Sequence, residues 1–386
     1  MKPHELARAL VRRGHDVTVI TGFPNYPHGK IYHGYRMRLY LVEEIDEVRI
    51  IRIPCLINRS LNVVSRVLSY LSFSVGAIIA GLFKKEKYDV IWAYQLGLAG
   101  AILSLLKQIP FVHEVQDLWP EWAKEYSVGM NRLFYWILYI QEKFIYNISS
   151  TIITISRGFK NILVSKGVLA QKIVIIPNWA DESLFYPAEK EEIIREEICG
   201  EKFRLMYVGN IGTAQRLENV IRAAEILKDS ENIELLFIGD GVHKKRLEEL
   251  SKIKGLKNVR FLGYKDPNII SKYMAWADVL LIHLGDSEIY EITIPSKTSG
   301  YLAVGKPILA VCKGDTADLI SSTGVGITCE PGQPALLAEK IIEFSSYSKE
   351  KLAKIGKKAR ETYLSSFSKD RAIERYETIF RKLGKG

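Results

Sequence analysis

The segment RLMYVGNIGTAQRLENVIRAAEIL, residues 204–227, decides the fold. Its first part is an apolar run typical of a buried strand, and its last part repeats apolar residues at helical spacing. Between them, Gly209, Asn210, Gly212 and Thr213 form a strand-to-helix turn. Free N–H groups and the positive end of the helix dipole at such a turn can bind a phosphate, and glycine permits close approach. The alternative is a tight turn that uses glycine for its backbone conformation alone.

A second strand-to-helix turn follows in LLFIGDGVHKKRLEEL, residues 235–250. Gly239, Asp240 and Gly241 stand after an apolar run and before a helical one. In open parallel sheets, ligands bind at the carboxyl ends of the strands, where both turns are expected. Two such turns in one sheet strengthen the prediction of a phosphate-binding edge.

The segment LLIHLGDSEIYEITIPSKTSGYLAVGKPILAV, residues 280–311, adds charged groups to this edge. Pro295, Ser296 and Lys297 precede a predicted helix, so Lys297 is placed to face a diphosphate. Glu291 stands just upstream, where a carboxylate can bind hydroxyl groups of a sugar or a ribose. A solvated loop charge is the alternative interpretation of this glutamate.

Short apolar runs alternate with longer amphipathic ones along most of the chain, which predicts an α/β protein with parallel sheets. The 386 residues suit two domains. The first series of predicted strands is 16–21, 49–54, 89–94, 111–115 and 151–156. The second series is 172–177, 203–209, 233–239, 259–263, 279–284, 307–312 and 326–329. The predicted domains are residues 1–180, residues 181–365 and a C-terminal helix, 366–386, that packs back toward the first domain.

The chain opens with half of a βαβ unit. Residues 2–14 have helical spacing, and residues 16–21 form a strand rich in β-branched residues. The strand that should precede this helix, with its glycine-rich turn, is not in the sequence. We therefore expect the N-terminal domain to lack its first strand, either because the true start lies upstream or because the chain lacks a central strand.

The segment PFVHEVQDLWPEW, residues 110–122, begins as a strand that is expected to end at the cleft between the domains. It brings His113 and Asp117 to the carboxyl end of that strand. An imidazole there can hydrogen-bond a transferring sugar or its leaving group. A structural histidine with satisfied hydrogen bonds is the alternative.

Composition places the chain among ordinary globular proteins, because 47% of the residues are hydrophobic and 25% are charged. This excludes a disordered, collagenous or disulfide-rich chain. The four cysteines are far apart and form no C-x-x-C pair: Cys55, Cys199, Cys312 and Cys329. We therefore expect no metal site, no disulfide framework and a location in the reducing cytoplasm.

The formal net charge is +10, and residues 1–185 contain 22 Lys and Arg against 15 Asp and Glu. Such a basic half suits an anionic substrate, an anionic membrane surface or nucleic acid. The sequence contains no basic run with interleaved aromatics and no nucleic-acid-binding motif, which argues against nucleic acid. An anionic membrane surface and an anionic substrate remain as candidate partners.

Residues 67–83 are uncharged and stand between Arg66 and Lys84. Their length lies at the lower limit for a membrane span, about 17 to 25 residues, and serines and glycines dilute the stretch. We expect a buried or interfacial helix. If the helix is interfacial, Lys84, Lys85 and Lys87 lie near headgroups and the protein is peripheral on the inner face of the cell membrane. The alternative is a plain core helix.

Together these segments resemble glycosyltransferase family 4, and within it the fucosamine-transferase-like subgroup of bacterial surface-polysaccharide synthesis. The resemblance covers nearly the whole chain. It rests on the order of six segments: GFPNYPHGKIYHGYR at 22–36, DLWPEW at 117–122, IPNWAD at 176–181, GNIGTAQ at 209–215, FIGDG at 237–241 and TIPSK at 293–297. It implies a GT-B fold, with two Rossmann-like domains that face each other across a cleft.

The resemblance also implies a retaining, metal-independent hexosyl or N-acetylaminosugar transferase without a cofactor. A nucleoside-diphosphate sugar, with UDP preferred over GDP, would bind the C-terminal domain. A glycan or polyprenyl-linked acceptor, in capsule or lipopolysaccharide synthesis, would bind the N-terminal domain. Helix-end amides, Lys297 and Arg216 would stabilise the leaving diphosphate. Gly263 and Tyr264 would contact the base, and His113 the donor sugar.

Two positions depart from the family pattern. Gln215, assigned to the donor site, stands where a lysine is usual and is followed by Arg216. The usual second glutamate after Glu291 is missing. The catalytic residues that we predict are His113, Asp117 and Glu291. The alternatives are a degenerate, non-catalytic member that binds a nucleotide sugar or a partner, and a nucleotide-sugar epimerase on the same fold.

Overall fold

The computed structural model describes residues 2–25, 29–57, 63–118, 132–198 and 200–384. The chain forms two compact units. The first unit contains Met1–Thr154, Ile162–Ile176 and Ile373–Gly386, and the second contains Ile155–Asn161 and Pro177–Ala372. The chain therefore passes between the units at four points, and neither unit is one continuous stretch of sequence.

The described helices are numbered in chain order. The helices that begin before Ile162, where the chain returns to the first unit, are α1 (Lys2–Arg12), α2 (Val63–Leu82), α3 (Leu98–Lys107), α4 (Arg132–Ile148) and α5 (Arg157–Ser165). The second unit contains α6 (Glu192–Glu197), α7 (Glu218–Ile226), α8 (Lys244–Ile253), α9 (Ile270–Met274), α10 (Glu288–Glu291), α11 (Ser296–Val304), α12 (Gly314–Thr323), α13 (Pro334–Ser345) and α14 (Lys349–Thr362). The last helix is α15 (Lys369–Gly384), which belongs to the first unit from Ile373 onward.

The first sheet of the first unit has the strand order β1-β3-β2. β1 (Thr18–Gly22) and β3 (Val48–Ile53) are parallel, whereas β2 (Leu41–Ile45) is antiparallel to β3. Asp46 and Glu47, both with positive φ, make the two-residue turn of this hairpin. β2 is not among the predicted strands, because an Asp-Glu turn carries no glycine or asparagine signal.

The second sheet of this unit is parallel and has the order β4-β5-β6-β7. Its strands are β4 (Ile91–Tyr94), β5 (Phe111–Val115), β6 (Thr151–Thr154) and β7 (Ile173–Ile175). The assignment of residues 172–177 to the second series of strands is wrong, because β7 pairs with β6. The passage into the second unit follows β7, between Ile176 and Pro177.

The two sheets of the first unit are not continuous with each other. Within the described residues, β1 pairs with β3 alone and β4 pairs with β5 alone. The Tyr88 hydroxyl donates a hydrogen bond to Thr18 Oγ1 at 3.2 Å and so joins the segments at the start of β4 and β1. Strand pairing in the described part of the first unit is therefore interrupted between β1 and β4. The missing first strand stays a prediction.

The second unit contains a six-stranded parallel sheet with the order β10-β9-β8-β11-β12-β13. Its strands are β8 (Phe203–Val208), β9 (Ile233–Ile238), β10 (Val259–Gly263), β11 (Val279–His283), β12 (Ile308–Val311) and β13 (Gly326–Cys329). Alternate strand residues enter two separate apolar clusters, as in a sheet covered on both faces. The strand order reverses between β8 and β11, so a ligand is expected at the carboxyl ends of these strands.

The last helix, α15, packs into the core of the first unit. Tyr376 is fully buried, and its ring centroid lies 6.2 Å from that of Trp92. The Lys2 ammonium lies 5.7 Å from the Tyr376 ring centroid and forms a 2.8 Å ion pair with the buried Glu114. Residues from the two ends of the sequence therefore share one core.

Glu377 of α15 pairs with Arg13 at 2.8 Å, with His15 at 2.9 Å and with Arg381 at 2.8 Å. Hydrogen bonds from His15, Arg13 and Arg381 lower the pKa of Glu377 from 4.5 to about 2. A carboxyl whose pKa is depressed on folding stabilises the protein above its unfolded pKa, and this contribution is lost as pH falls through the folded pKa. We expect the unfolding temperature of the wild type to fall more steeply between about pH 4.5 and 2 than that of Glu377→Gln.

Scanning calorimetry at a series of pH values measures this difference. At neutral pH the Glu377→Gln variant should unfold at the lower temperature, and near pH 2 the two proteins should converge. Glu339→Gln, at an exposed carboxylate of α13, is the control and should parallel the wild type. If Glu377→Gln has the pH dependence of the wild type, these ion pairs do not stabilise the fold.

Candidate functional site

Two glycine turns pack against each other at the carboxyl ends of β8 and β9. The Ile211 N–H donates a hydrogen bond to the Asp240 carbonyl at 2.8 Å. Gly239 has φ of 136°, and a Cβ there would stand 2.0 Å from the Gly209 carbonyl oxygen. A Cβ on Gly241 would stand 2.4 Å from the Ile211 carbonyl oxygen. The close approach of the two turns therefore requires glycine at both positions.

The sequence predicts that the turn after β8 runs directly into a helix. In the structure it does not run directly into α7. A short 3₁₀ turn from Thr213 to Gln215 intervenes, and α7 begins three residues later. The Gln215 side chain accepts a hydrogen bond from the Gly212 N–H at 3.1 Å, which satisfies the first amide of this turn. Thr213 Oγ1 lies 3.0 Å from His243 Nε2, and Arg216 has a positive φ of 43°. The first amides of α7 therefore lie beyond the predicted glycine turn.

Lys297, in the first turn of α11, is partly buried beside the turn after β8. Its Nζ donates a hydrogen bond to the Tyr207 hydroxyl at 2.6 Å and lies 3.9 Å from the Tyr207 ring centroid. A Cβ on Gly209 would lie 3.6 Å from this Nζ. Burial lowers the pKa of Lys297 to about 7. No carboxylate of the described residues pairs with Lys297, so a bound anion would supply its missing counter-charge.

Tyr207, at the end of β8, was missed by the sequence analysis. Its hydroxyl donates to the Asn210 carbonyl while it accepts from Lys297 Nζ, so it holds the turn and the lysine together. Burial raises the pKa of the Tyr207 hydroxyl, which stays protonated. A tyrosine next to the last residue of a largely apolar strand is the signal that could have indicated it.

The segment from Glu291 to Lys297 is held from two sides. Glu291 ends α10, and its carbonyl oxygen would lie 2.0 Å from a Cβ on Gly314, which has φ of 67°. Ser156 Oγ donates a hydrogen bond to the Ile292 carbonyl at 2.5 Å. Sequence reasoning missed Ser156 because it stands far from this segment along the chain.

Gly263 and Tyr264, which were assigned to the base, lie at the end of β10. The Gly263 carbonyl accepts a hydrogen bond from the Gly239 N–H at 2.9 Å. Gly263 has φ of 72°, and a Cβ there would lie 3.8 Å from Lys244 Nζ. Tyr264 is 69% exposed, so its ring is free to stack on a flat ligand. The predicted donor-binding residues therefore lie after three neighbouring strands, β8, β9 and β10, and at the start of α11.

His113 lies on β5 of the first unit and is 5% exposed. With Tyr70, Asp117 and Tyr146 it lines a cavity of about 110 Å³ bounded by α2 and α4. Its buried Nδ1 forms no hydrogen bond within the described part of the chain. Burial lowers the pKa of His113 to about 4, so the imidazole is neutral near pH 7. A neutral imidazole with an unpaired nitrogen at a cavity can hydrogen-bond a ligand.

Asp117 follows β5 and lines the same cavity as His113. Burial raises the pKa of the Asp117 carboxyl. Gln95, with φ of 62°, accepts hydrogen bonds from the backbone N–H groups of Gln116 and Asp117 at 2.8 and 2.9 Å. Sequence reasoning missed Gln95, although a polar residue directly after an apolar strand could have indicated it. Glu291, the third predicted catalytic residue, belongs to the second unit.

Some of the predictions fall outside the described residues. These are residues 26–28 of GFPNYPHGKIYHGYR, residues 119–122 of DLWPEW, and Cys199. Across the residues that are described, no group of three or more His, Cys, Asp and Glu side chains could hold a metal ion. Metal independence stays a prediction.

Two family models match the chain in succession. Residues 3–179 match the model described as glycosyl transferase 4-like domain. Residues 189–362 match the model described as glycosyl transferases group 1. The second match contains all the turns that approach Lys297, and the first contains the cavity with His113.

Similar proteins extend over much of the chain. A putative colanic acid biosynthesis glycosyl transferase of Escherichia coli is 27% identical over 316 residues, which cover 78% of this chain and 76% of the relative. A UDP-Gal:alpha-D-GlcNAc-diphosphoundecaprenol alpha-1,3-galactosyltransferase of Escherichia coli is 26% identical over 58% of each chain. The solved structure of sucrose-phosphate synthase from Thermosynechococcus elongatus has a TM-score of 0.74 and 18% identity, over 99% of this chain and 92% of that chain. This likeness confirms the prediction of a two-domain GT-B fold.

Proposed function

Since the chain consists of a glycosyltransferase 4-like domain followed by a glycosyltransferase group 1 domain, we propose that it is a retaining glycosyltransferase of bacterial surface-polysaccharide synthesis. Its donor is a nucleoside-diphosphate sugar, with UDP preferred over GDP, and it transfers a hexose or an N-acetylamino sugar. Its acceptor is a glycan or a polyprenyl-linked glycan. Two relatives support this proposal, one named for colanic acid biosynthesis and one for a UDP-galactose donor and a diphosphoundecaprenol acceptor. The six segments quoted above support membership of the fucosamine-transferase-like subgroup.

The observation that carries the proposal is the partly buried Lys297 beside Gly209. A buried basic group with no acidic partner is costly unless a ligand supplies the anion. A diphosphate supplies that charge, and the N-terminal amides and dipole of α11 add hydrogen-bond donors at the same place. The switch point between β8 and β11 is where an open parallel sheet binds such a ligand.

In the proposed reaction, the bond between the anomeric carbon and the diphosphate breaks while the acceptor oxygen bonds to the same face of that carbon. The proton of the acceptor hydroxyl passes to the departing diphosphate. Lys297 and Arg216 stabilise the charge that develops on this leaving group. His113 hydrogen-bonds the donor sugar, and Gly263 and Tyr264 contact the base. Neither a metal ion nor a cofactor takes part.

The proposed location is the cytoplasm and the inner face of the cell membrane. A polyprenyl-linked acceptor is held in the bilayer by its hydrocarbon chain, so its transferase must work at the membrane surface. The excess of Lys and Arg in residues 1–185 suits an anionic, lipid-linked acceptor. The lipid-linked acceptor and the basic charge of residues 1–185 therefore both favour the membrane surface.

A donor screen tests the proposed function. UDP-sugars and GDP-sugars are offered to the purified protein, and thermal shift and nucleotide release are recorded with and without a lipid-linked glycan acceptor. We expect UDP to stabilise the protein and one UDP-sugar to release UDP faster when the acceptor is present. Stabilisation and release by GDP-sugars alone would overturn the base preference, and an inverted anomeric linkage in the NMR spectrum of the product would overturn retention.

The alternative is a non-catalytic member that binds a nucleotide sugar or a partner. Gln215 in place of a lysine, and the absence of a second glutamate after Glu291, favour it. Binding of UDP-sugars without nucleotide release in any acceptor mixture would support this alternative. Conversion of the donor sugar without any acceptor would instead indicate an epimerase.

A further inference from the structure

The exposed face of α2 consists of apolar side chains. Five residues at helical spacing form it, and we call them the apolar stripe: Leu68, Leu71, Val75, Ile79 and Leu82. Each is between 41% and 57% exposed. Every exposed side chain that the structure describes on α2 belongs to this stripe. At 1.5 Å per residue the stripe is about 20 Å long, and a surface helix normally places polar residues on such a face.

The apolar stripe continues into a groove at the C-terminal end of α2. The groove has a volume of about 670 Å³, and Leu39, Tyr40, Ile79, Phe83 and Lys85 are among the residues that line it. Leu39 is 88% exposed and Phe83 is 82% exposed. Large apolar side chains with this much exposure, next to an apolar stripe, mark a surface that is covered by another apolar body.

Basic residues occur on two segments of the chain that contribute to this groove. Five residues form what we call the basic rim: Arg36, Arg38, Lys84, Lys85 and Lys87. Lys84 and Lys85 line the groove, and the other three stand within three residues of a lining residue along the chain. Glu86 is the acidic residue within these segments, and its carboxylate lies 3.0 Å from Arg49. Apart from Lys84, whose Nζ lies 3.7 Å from Glu86, the rim residues form no ion pair within the described residues. The two segments therefore carry more positive than negative charge.

We propose that the apolar stripe and the basic rim form one docking surface for an anionic lipid bilayer, with α2 lying in the plane of the membrane interface. The stripe enters the boundary between headgroups and acyl chains, and the rim contacts anionic headgroups. In the described part of the chain, no helix combines the length and the apolar character that a membrane crossing needs.

Charge favours a bilayer over a second copy of this chain. A two-fold dimer through this surface would bring two basic rims together, and like charges across an interface are unfavourable. A bilayer that contains anionic lipids offers an apolar layer to the stripe and negative charge to the rim at the same time. It is therefore the occupant whose chemistry matches both parts of the surface.

The docking surface is continuous with the cavity that contains His113. Leu71 of the apolar stripe lines that cavity, together with Val67 and Tyr70 of the same helix. Docking through the stripe brings this side of the cavity to the membrane interface. Resting on the proposed function, this means that a lipid-linked acceptor reaches His113 while its hydrocarbon chain stays in the bilayer.

Vesicle flotation tests the proposal without donor or acceptor. The full chain is mixed with vesicles of phosphatidylcholine alone, or of equal parts phosphatidylcholine and phosphatidylglycerol, at low and at high salt. We expect binding to the mixed vesicles, weaker binding at high salt, and little binding to phosphatidylcholine alone. No binding to the mixed vesicles, or equal binding to both kinds, would overturn the proposal.

Two variants place the contact on the docking surface. Val75→Glu/Ile79→Glu should lower the partition coefficient about tenfold or more, because two aliphatic side chains no longer leave water. Lys85→Glu/Lys87→Glu should remove most of the preference for phosphatidylglycerol. The matched controls are Ile253→Glu and Lys357→Glu on the second unit, both highly exposed, and they should bind like the wild type.

Two further measurements separate this proposal from others. Light scattering that shows a wild-type dimer and a monomeric Val75→Glu/Ile79→Glu variant would assign the surface to a second copy and overturn the proposal. UDP binding, measured by calorimetry, should be the same in all these variants. Vesicle binding without UDP binding would leave the docking surface in place and overturn the proposed function alone, whereas UDP binding without vesicle binding would overturn the docking surface alone.

Discussion

We expect UDP to bind the Lys297→Met protein about thirtyfold more weakly than the wild type, or not measurably. The lysine is partly buried next to the glycine turn after β8, and no carboxylate of the described residues competes for it. A charge-assisted hydrogen bond to a phosphate is therefore lost without a substitute, which corresponds to about 2 kcal/mol. Titration calorimetry with UDP measures the change directly.

Lys306→Met is the matched control for this substitution. Lys306 is also partly buried, but its Nζ donates to the carbonyls of Ala275 and Ala277 at 2.7 Å, away from the glycine turns. Its loss leaves two carbonyls unpaired and should lower the unfolding temperature while UDP affinity stays the same. Lys297→Met should lower UDP affinity without lowering the unfolding temperature, since it removes a partly buried base that has no counter-ion. Unchanged UDP affinity in Lys297→Met would exclude this lysine from the donor site.

The pH dependence of UDP binding gives an independent test of the same lysine. The pKa of Lys297 is about 7 in the free protein, and a bound diphosphate favours the charged ammonium and raises that pKa. Binding therefore takes up a proton above about pH 7, and the affinity falls as pH rises further. Calorimetry in buffers of different ionisation enthalpy should detect this uptake in the wild type and in Lys306→Met. Lys297→Met should lack it.

His113→Ala is expected to lower the rate of sugar transfer by about two to four orders of magnitude, with UDP affinity changed less than about threefold. The imidazole is buried, neutral and unpaired at Nδ1, so it is ready to hydrogen-bond a sugar. It belongs to the first unit, whereas the glycine turns and Lys297 belong to the second. Transfer rates at saturating donor, combined with UDP titrations, separate the two effects.

His113→Phe distinguishes a lost hydrogen bond from a collapsed cavity, because the ring volume is kept. We expect it to be as slow as His113→Ala. Tyr146→Phe is the control in the same cavity: its hydroxyl already donates to Glu142 at 2.6 Å, and the variant should turn over like the wild type. Since the pKa of His113 is about 4, the wild-type rate should show no acid limb from this group near pH 6.5. A fall in the rate near pH 6.5 that is seen in the wild type but not in His113→Phe would contradict the prediction that the His113 imidazole is neutral.

The parallel strands were predictable because strands buried on both faces are continuous apolar runs. The predicted bounds of β5, β10 and β13 match the structure. The hairpin at Asp46 and Glu47 was not predictable, since positive φ at these residues depends on packing and leaves no sequence signal. β7 was placed in the wrong series, because an apolar strand does not show which sheet it joins.

The glycine turns of the candidate site were predictable for a similar reason, since their spacing between strand and helix is local. The contact between Lys297 and Tyr207 joins residues 90 positions apart, and only the folded sheet brings them together. The same holds for Ser156 beside Ile292, which are 136 positions apart. The sequence therefore indicates which residue types are present at the site, whereas their partners depend on long-range packing.

The position of α15 has a consequence for how the protein is made. Domains generally fold as units while the ribosome synthesises them, the N-terminal one first. Here the helix that buries Tyr376 against Trp92 leaves the ribosome only after the entire second unit. Until then the nascent first unit exposes the apolar surface that this helix covers. The second unit can therefore complete its own sheet before the first unit is finished.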